Sequence, residues 1–109
     1  MEVTLRDAPV ARGQLLADLR SHAEAIRSAA RRRRIRNIRV FGSAARGEES
    51  AASDVDLLVD FDSSKRGVLP LIGFAHDVRT IVGREVDATT VVLLRDEVRE
   101  RALAEAVPL

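Results

Sequence analysis

The sequence predicts a small α/β domain, and three observations predict it. Apolar side chains recur at helical spacing through Leu15, Leu19, Ala23, Ile26 and Ala30. From Asp54 to Phe61 the pattern changes to strict alternation, with Val55, Leu57, Val59 and Phe61 on one face. The remaining segments switch between the two periods in the order αβ(α)βαβα, which reads as a sheet covered by helices. A chain of 109 residues holds this as one domain, 1–109, with no repeat or linker.

In order along the chain, Met1 to Pro9 reads as a loose start. A long amphipathic helix runs from Val10 to about Arg34, its terminal arginines facing the negative end of the helix dipole. Ile38 to Phe41 is a short strand that stops at Gly42-Ser43, and Ala44 to Glu49 forms one or two helical turns. Ser50 to Ser53 is a small-residue loop, Asp54 to Phe61 the clearest strand, and Asp62 to Gly67 a polar loop. Leu69 to Val82 is a helix capped by Gly83. Glu85 to Val92 is a third strand. Leu94 to Ala106 is a final helix with Val98 and Leu103 turned inward, ended by Pro108.

Composition removes whole classes of function. With 46% hydrophobic and 32% charged residues, the chain is neither disordered nor fibrous. Without cysteine it has no disulfide, thiolate metal site or thiol nucleophile. No apolar run approaches the roughly 20 residues of a membrane helix, and no signal peptide precedes the domain, so a cytoplasmic protein is expected. Eighteen basic and 17 acidic side chains leave a net charge of +1, so only their distribution is informative. Arginines crowd the stretch Arg31 to Arg34 with Arg36 and Arg39, and carboxylates the stretch Glu48 to Asp62.

Two short patterns carry chemistry. Asp54 and Asp56 lie i, i+2 on a strand, about 6.6 Å apart on the same face. Two such carboxylates repel, and a divalent cation resolves the conflict, with oxygen ligands favouring Mg²⁺, Mn²⁺ or Ca²⁺ over zinc. Upstream, Phe41-Gly42-Ser43-Ala44-Ala45-Arg46-Gly47 ends a strand in glycine and opens a turn with serine. Backbone N–H groups and the Ser43 hydroxyl there form a phosphate seat, Gly42 allows close approach, and Arg46 neutralises phosphate charge. Either pattern alone is commonplace. Together they describe a site for a nucleoside triphosphate and its metal.

The stretch from Gly42-Ser43-Ala44-Ala45-Arg46-Gly47 through Ser53-Asp54-Val55-Asp56-Leu57-Leu58-Val59 resembles the signature of the DNA polymerase beta nucleotidyltransferase superfamily, and within it the minimal nucleotidyltransferases. Gly83-Arg84-Glu85-Val86-Asp87 is similar to the strand that carries that family's third carboxylate, and Leu94 to Leu109 to its C-terminal helix. The resemblance implies the polymerase beta-like fold, a small mixed sheet with flanking helices. It implies a two-metal mechanism in which Asp54, Asp56 and Asp87 hold two Mg²⁺ ions on ATP, Asp87 helps activate the incoming hydroxyl, and Gly42 and Ser43 bind the departing pyrophosphate. Relatives of this size pair with HEPN toxins. The resemblance therefore implies an antitoxin that transfers AMP to a tyrosine hydroxyl of its toxin, in a hetero-oligomer. One departure stands out: Ala88-Thr89-Thr90 follows Asp87 where relatives carry bulkier aliphatics.

Other readings stay open. A non-catalytic antitoxin that masks its toxin needs no carboxylate triad. A small-molecule nucleotidyltransferase needs a further substrate domain for which the chain is too short. Transfer to RNA is disfavoured on the same ground, although the arginine run, which reads first as a solvated helix end, keeps a contact with RNA or an acidic partner open. His22 and His76 have no partner at ligand spacing and read as structural or surface residues. Asp60 lies about 13 Å along the strand from Asp56, too far to share its metal. Asp62, Asp77 and Glu85 read as loop or surface charges.

Overall fold

A computed structural model describes residues 13–50 and 52–109. The expected loose start, Met1 to Pro9, and the first turn of the expected helix lie outside these residues. Two helices open the described chain, α1 (Gln14–Ser21) and α2 (Ala23–Arg31), where the periodicity predicts one. The interruption is chemical. The Asp18 carbonyl, which a continuous helix would offer to the backbone N–H of His22, instead accepts the Ser21 hydroxyl at 2.6 Å and lies 2.9 Å from His22 Nδ1. Leu19 and Ile26 still reach the same core because the break is a single residue wide.

Helix α2 ends in a reciprocal pair of backbone hydrogen bonds, Ile35 N–H to Ala30 O at 2.9 Å and Arg34 N–H to Arg31 O at 3.2 Å. That ending places its penultimate residue in the left-handed region, ordinarily glycine's. Here it is Arg34, at φ 57°, and an arginine held there costs about 1 kcal/mol or more.

The sheet has the order β3-β2-β1-β4, from β1 (Arg36–Phe41), β2 (Val55–Asp60), β3 (Val86–Thr89) and β4 (Val107–Pro108). β1 runs antiparallel to β2 and β4, and β2 parallel to β3, so the sheet is mixed. Between Arg36 and Arg39 strand β1 carries one residue more than its partner, a bulge at which Asn37 takes φ 51°. Helices α3 (Ser43–Arg46), α4 (Ser63–Arg66), α5 (Leu69–Val82) and α6 (Asp96–Glu105) complete the domain, with a 3₁₀ turn at Val91–Leu93.

Helices α1, α2 and α5 cover one face. Leu15, Leu19, Ile26, Phe74 and Val78 meet Val40, Val55, Leu57 and Val59 in one buried cluster. Leu58 points to the opposite face, toward the side of Asp56, and is fully buried there outside that cluster, as is Ala102 of α6 nearly so. The 3₁₀ turn contacts β2 on this strand's flank.

Four expectations are corrected. The third strand stops at Thr89 rather than Val92, because the chain tightens into the 3₁₀ turn. Val98 and Leu103 do not turn inward; Ala102 is the buried residue of α6, and both larger side chains are exposed. Pro108 does not merely end a helix. Val107 pairs with Val40 and Pro108 with Arg39, closing the sheet on its fourth strand. Proline is tolerated at such an edge, where its missing N–H costs no ladder bond. Asp77, read as a surface charge, is half-buried and paired with Arg33.

The two corrections in α6 and the core packing lead to a contrast. Phe74→Ala removes a fully buried ring and is expected to cost about 3–5 kcal/mol. Leu103→Ala, on an exposed surface, is expected to stay within about 0.5 kcal/mol of the parent. Urea denaturation of the two variants measures both; similar losses would mean that α6 packs by Leu103 after all.

Candidate active site

The site forms where β1 stops. Phe41 pairs with Asp56, and the next residue, Gly42, turns the chain at φ 74° and ψ −152° into the single turn of α3. Gly42 is required twice over. Its φ is one that side-chain-bearing residues rarely adopt, and a Cβ there would stand 2.5 Å from Asp56 Oδ2. Ala44 is buried and pins the turn to the core, while Ser43 is half-buried and Arg46 exposed at its end.

The carboxylates come from two neighbouring strands. Asp56 is in register with Asp87 across the parallel β2–β3 pair, so both side chains leave the sheet on the same face. Val86 and Ala88, the neighbours of Asp87, face the hydrophobic cluster instead. Asp54 sits just before β2 begins and is exposed, as is Asp87, whereas Asp56 is half-buried. Burial pushes the Asp56 carboxyl above its usual value, the charges of Asp87 and Asp54 push it further the same way, and only Arg46 opposes them. The carboxylate is thus held in a place where its negative charge is disfavoured.

That conflict is the observation against which a cation is tested. The donors are hard carboxylate oxygens, which suit a small divalent ion. Among the described residues no three acidic or imidazole side chains stand close enough together to hold an ion as they are. Asp54 and Asp87 are the acidic side chains whose charges act on Asp56, and they are the candidates to share an ion with it. Asp60, placed outside the site by its distance along the strand, is engaged elsewhere by Arg39 at 2.8 Å and Asn37 at 3.2 Å.

Arg46, the candidate phosphate partner, is itself paired. Its Nε donates to Glu48 at 2.9 Å and its Nη1 to Glu105 of α6 at 2.8 Å. Glu105 escaped the sequence reading because its partner lies 59 positions away. Two further residues were missed. Arg84 Nη1 donates to the carbonyls of Ser53 at 2.8 Å and Ser50 at 3.2 Å, clamping the loop that delivers Asp54 to the strand preceding Asp87. Its signal was present, in a basic residue before β3 beside a serine-rich loop. Glu49 is buried and its Oε1 accepts the Leu15 N–H at 3.0 Å, capping the start of α1. Nothing in a run of acids distinguishes that one as inward-facing. A hollow of about 490 Å³ opens beside Asp87, walled by Leu71, Ile72, His76 and Arg79 of α5 and by the edge of β3.

Comparison with known proteins agrees with this geometry. A profile describing a nucleotidyltransferase domain matches residues 19–109. A Methanocaldococcus jannaschii protein, provisionally named a protein adenylyltransferase, is 34% identical over 73 residues, 67% of this chain and 77% of its own. The protein adenylyltransferase MntA of Thermococcus cleftensis is 36% identical over 73 residues, again 67% of this chain and 73% of the relative. A solved structure provisionally described as a minimal nucleotidyltransferase superposes with a TM-score of 0.74 at 38% identity, covering 86% of this chain and 95% of that one. A toxin–antitoxin structure with AMP-PNP shares the fold, with a TM-score of 0.62 at 18% identity over 78% of this chain and 69% of that one. The mixed sheet, the glycine turn against Asp56 and these matches agree, and the chain belongs to the nucleotidyltransferase domain family.

Proposed function

We propose that this nucleotidyltransferase transfers AMP from ATP to a tyrosine hydroxyl of a HEPN-type toxin and so serves as that toxin's antitoxin. The observation that carries the reading is Asp56, in register with Asp87 and pressed against Gly42. It sets one carboxylate against a backbone turn that admits no side chain, with a second in register beside it. The names of the two adenylyltransferase relatives support a protein acceptor, and the shared fold of the toxin–antitoxin structure supports the partner class.

In this reading Gly42 and Ser43 seat the β- and γ-phosphates, and Arg46 leaves its acidic partners to face them. Asp54 and Asp56, with Asp87, would hold Mg²⁺ on the triphosphate. Two such ions supply charge neutralisation at the attacking and leaving oxygens. The acceptor oxygen attacks the α-phosphorus, the bond to the β-phosphate breaks, and pyrophosphate departs. Asp87 takes the proton of the hydroxyl, which approaches on the face of the sheet that Asp56 and Asp87 share, away from α5. Placement and electrostatics carry most of the rate, as in phosphoryl transfer generally.

Asp87→Asn keeps shape but loses charge and base. Transfer is expected to fall by orders of magnitude while ATP still binds through Asp54, Asp56 and Ser43. Intact-mass spectrometry of the partner after incubation with ATP and Mg²⁺ measures it. A partner neutralised equally by both proteins without mass gain would establish masking instead of catalysis.

Gly42→Ala is expected to abolish transfer, because its methyl group meets the Asp56 carboxylate. Isothermal titration with a non-hydrolysable ATP analogue checks that binding is lost with it.

Asp56→Asn separates stability from function. The folded protein raises the Asp56 carboxyl above its unfolded value. The folded state therefore binds the proton more tightly, and stability falls as pH rises from the unfolded value through the folded one. At pH 7 without metal, the neutral variant is expected to melt higher than the parent, and the gap should close in acid below the ordinary carboxylate range. Added Mg²⁺ should raise the melting temperature of the parent only. A variant that melts lower at pH 7 would show that Asp56 carries a structural contact.

A further inference from the structure

The other end of the sheet carries a charge pattern that transfer chemistry does not use. β1 begins at Arg36 and reaches the site only after Phe41, about 16 Å further along at strand spacing. At that far end two hollows adjoin, of about 390 Å³ and about 510 Å³, sharing Arg31, Ile35 and Arg36 in their walls. Arg27 completes the cationic wall of the first, and Arg34, Lys65 and Arg66 that of the second. Among the described residues the only acid in either wall is Asp62, whose Oδ1 already accepts the Ser64 hydroxyl at 2.6 Å. In a chain with 18 basic and 17 acidic residues, six cations around one acid is a segregation, not a sample of the surface.

A solvated helix end does not account for it. The helix dipole favours cations only in the last turn of α2. Arg36 comes from β1, and Lys65 and Arg66 from α4. Among the described residues Arg27, Arg34, Arg36 and Arg66 have no acidic partner, while Arg31 meets only exposed Glu24. Arg34 is the sharpest sign. It occupies the left-handed position that ends α2, where glycine would relieve the backbone, and its side chain lines the second hollow. Strain kept at a charged side chain points to a use for that charge.

We propose that this groove binds a single-stranded nucleic acid through its phosphodiester backbone. Five of the six cations are arginines, whose planar forks pair with phosphate in two-point contacts and also stack on bases. The hollows have apolar floors: Ile35 in both, half-buried Phe61 in one, Ile38 and Leu109 in the other. Phosphates along a cationic rim with bases laid on an apolar or aromatic floor is the arrangement of single-strand binding surfaces. An acidic peptide satisfies the rim but has no planar face for Phe61.

Fluorescence anisotropy with labelled (U)12 and (dT)12 tests the proposal, with a poly-glutamate 12-mer as the competing probe. Either oligonucleotide is expected to bind, with affinity falling about three-hundredfold between 50 and 200 mM salt for six neutralised phosphates. Arg34→Gly and Arg36→Ala are each expected to weaken it roughly tenfold. Arg95→Ala, an exposed arginine outside the groove, should not. Arg34→Gly is informative because it should raise the melting temperature while lowering affinity, so a folding defect cannot explain the loss. AMP transfer should be unchanged in it. The proposal is overturned if neither oligonucleotide binds at 50 mM salt, if poly-glutamate binds in their place, or if Arg95→Ala loses as much affinity as the groove variants.

Discussion

Everything at the site depends on one close approach, that of the Gly42 backbone to the Asp56 carboxylate. The glycine is where β1 must leave the sheet, and the aspartate is the residue opposite the end of β1. Because a Cβ would stand 2.5 Å from the carboxylate oxygen, the turn and the acid exist only as a pair. Central placement in the sheet then gives Asp56 a second like-charged neighbour on β3. The domain buries part of a charge that it does not neutralise internally. Its hydrophobic layer of α1, α2 and α5 on the opposite face supplies the stability that this arrangement spends.

Much of this was legible in the residues. Period-two alternation from Asp54 to Phe61 located β2 and the faces of its side chains, because a strand that buries one face has little freedom of register. The helix from Leu69 to Val82 and its left-handed cap at Gly83 were readable to the residue. Gly42, Asp54, Asp56 and Asp87 were readable as candidate site residues because their spacing is local or their motif distinctive, and the fold sets Gly42 against Asp56 and Asp56 in register with Asp87.

What stayed hidden was set by contacts remote in sequence or by competition for a single carbonyl. Nothing in the period of α1 and α2 reveals that Ser21 and His22 take the Asp18 carbonyl out of the helix ladder. β4 is two residues long and contains a proline, so it has no strand pattern; it exists because Val40 and Arg39 offer it an open edge. Val98 and Leu103 were misplaced because α6 docks by a small residue, Ala102, which carries no hydrophobic signal of its own. Glu49, Arg84 and Glu105 organise the loops around the carboxylates through backbone carbonyls, a helix start and a distant arginine, none of which spacing can show.

The sheet order also bears on how copies of the chain meet one another. A mixed sheet of four strands has two open edges, and open edges recruit strands from neighbouring molecules. One edge here is β4, two residues ending in Pro108, too short and too poor in donors to be extended. The other is β3, four residues long with exposed Asp87 in its middle. A second β3 aligned antiparallel about that residue would bring two like charges face to face. The carboxylate proposed for chemistry therefore doubles as a guard against aggregation, and an apolar residue in its place would leave a flat, uncharged strand at the margin of the sheet.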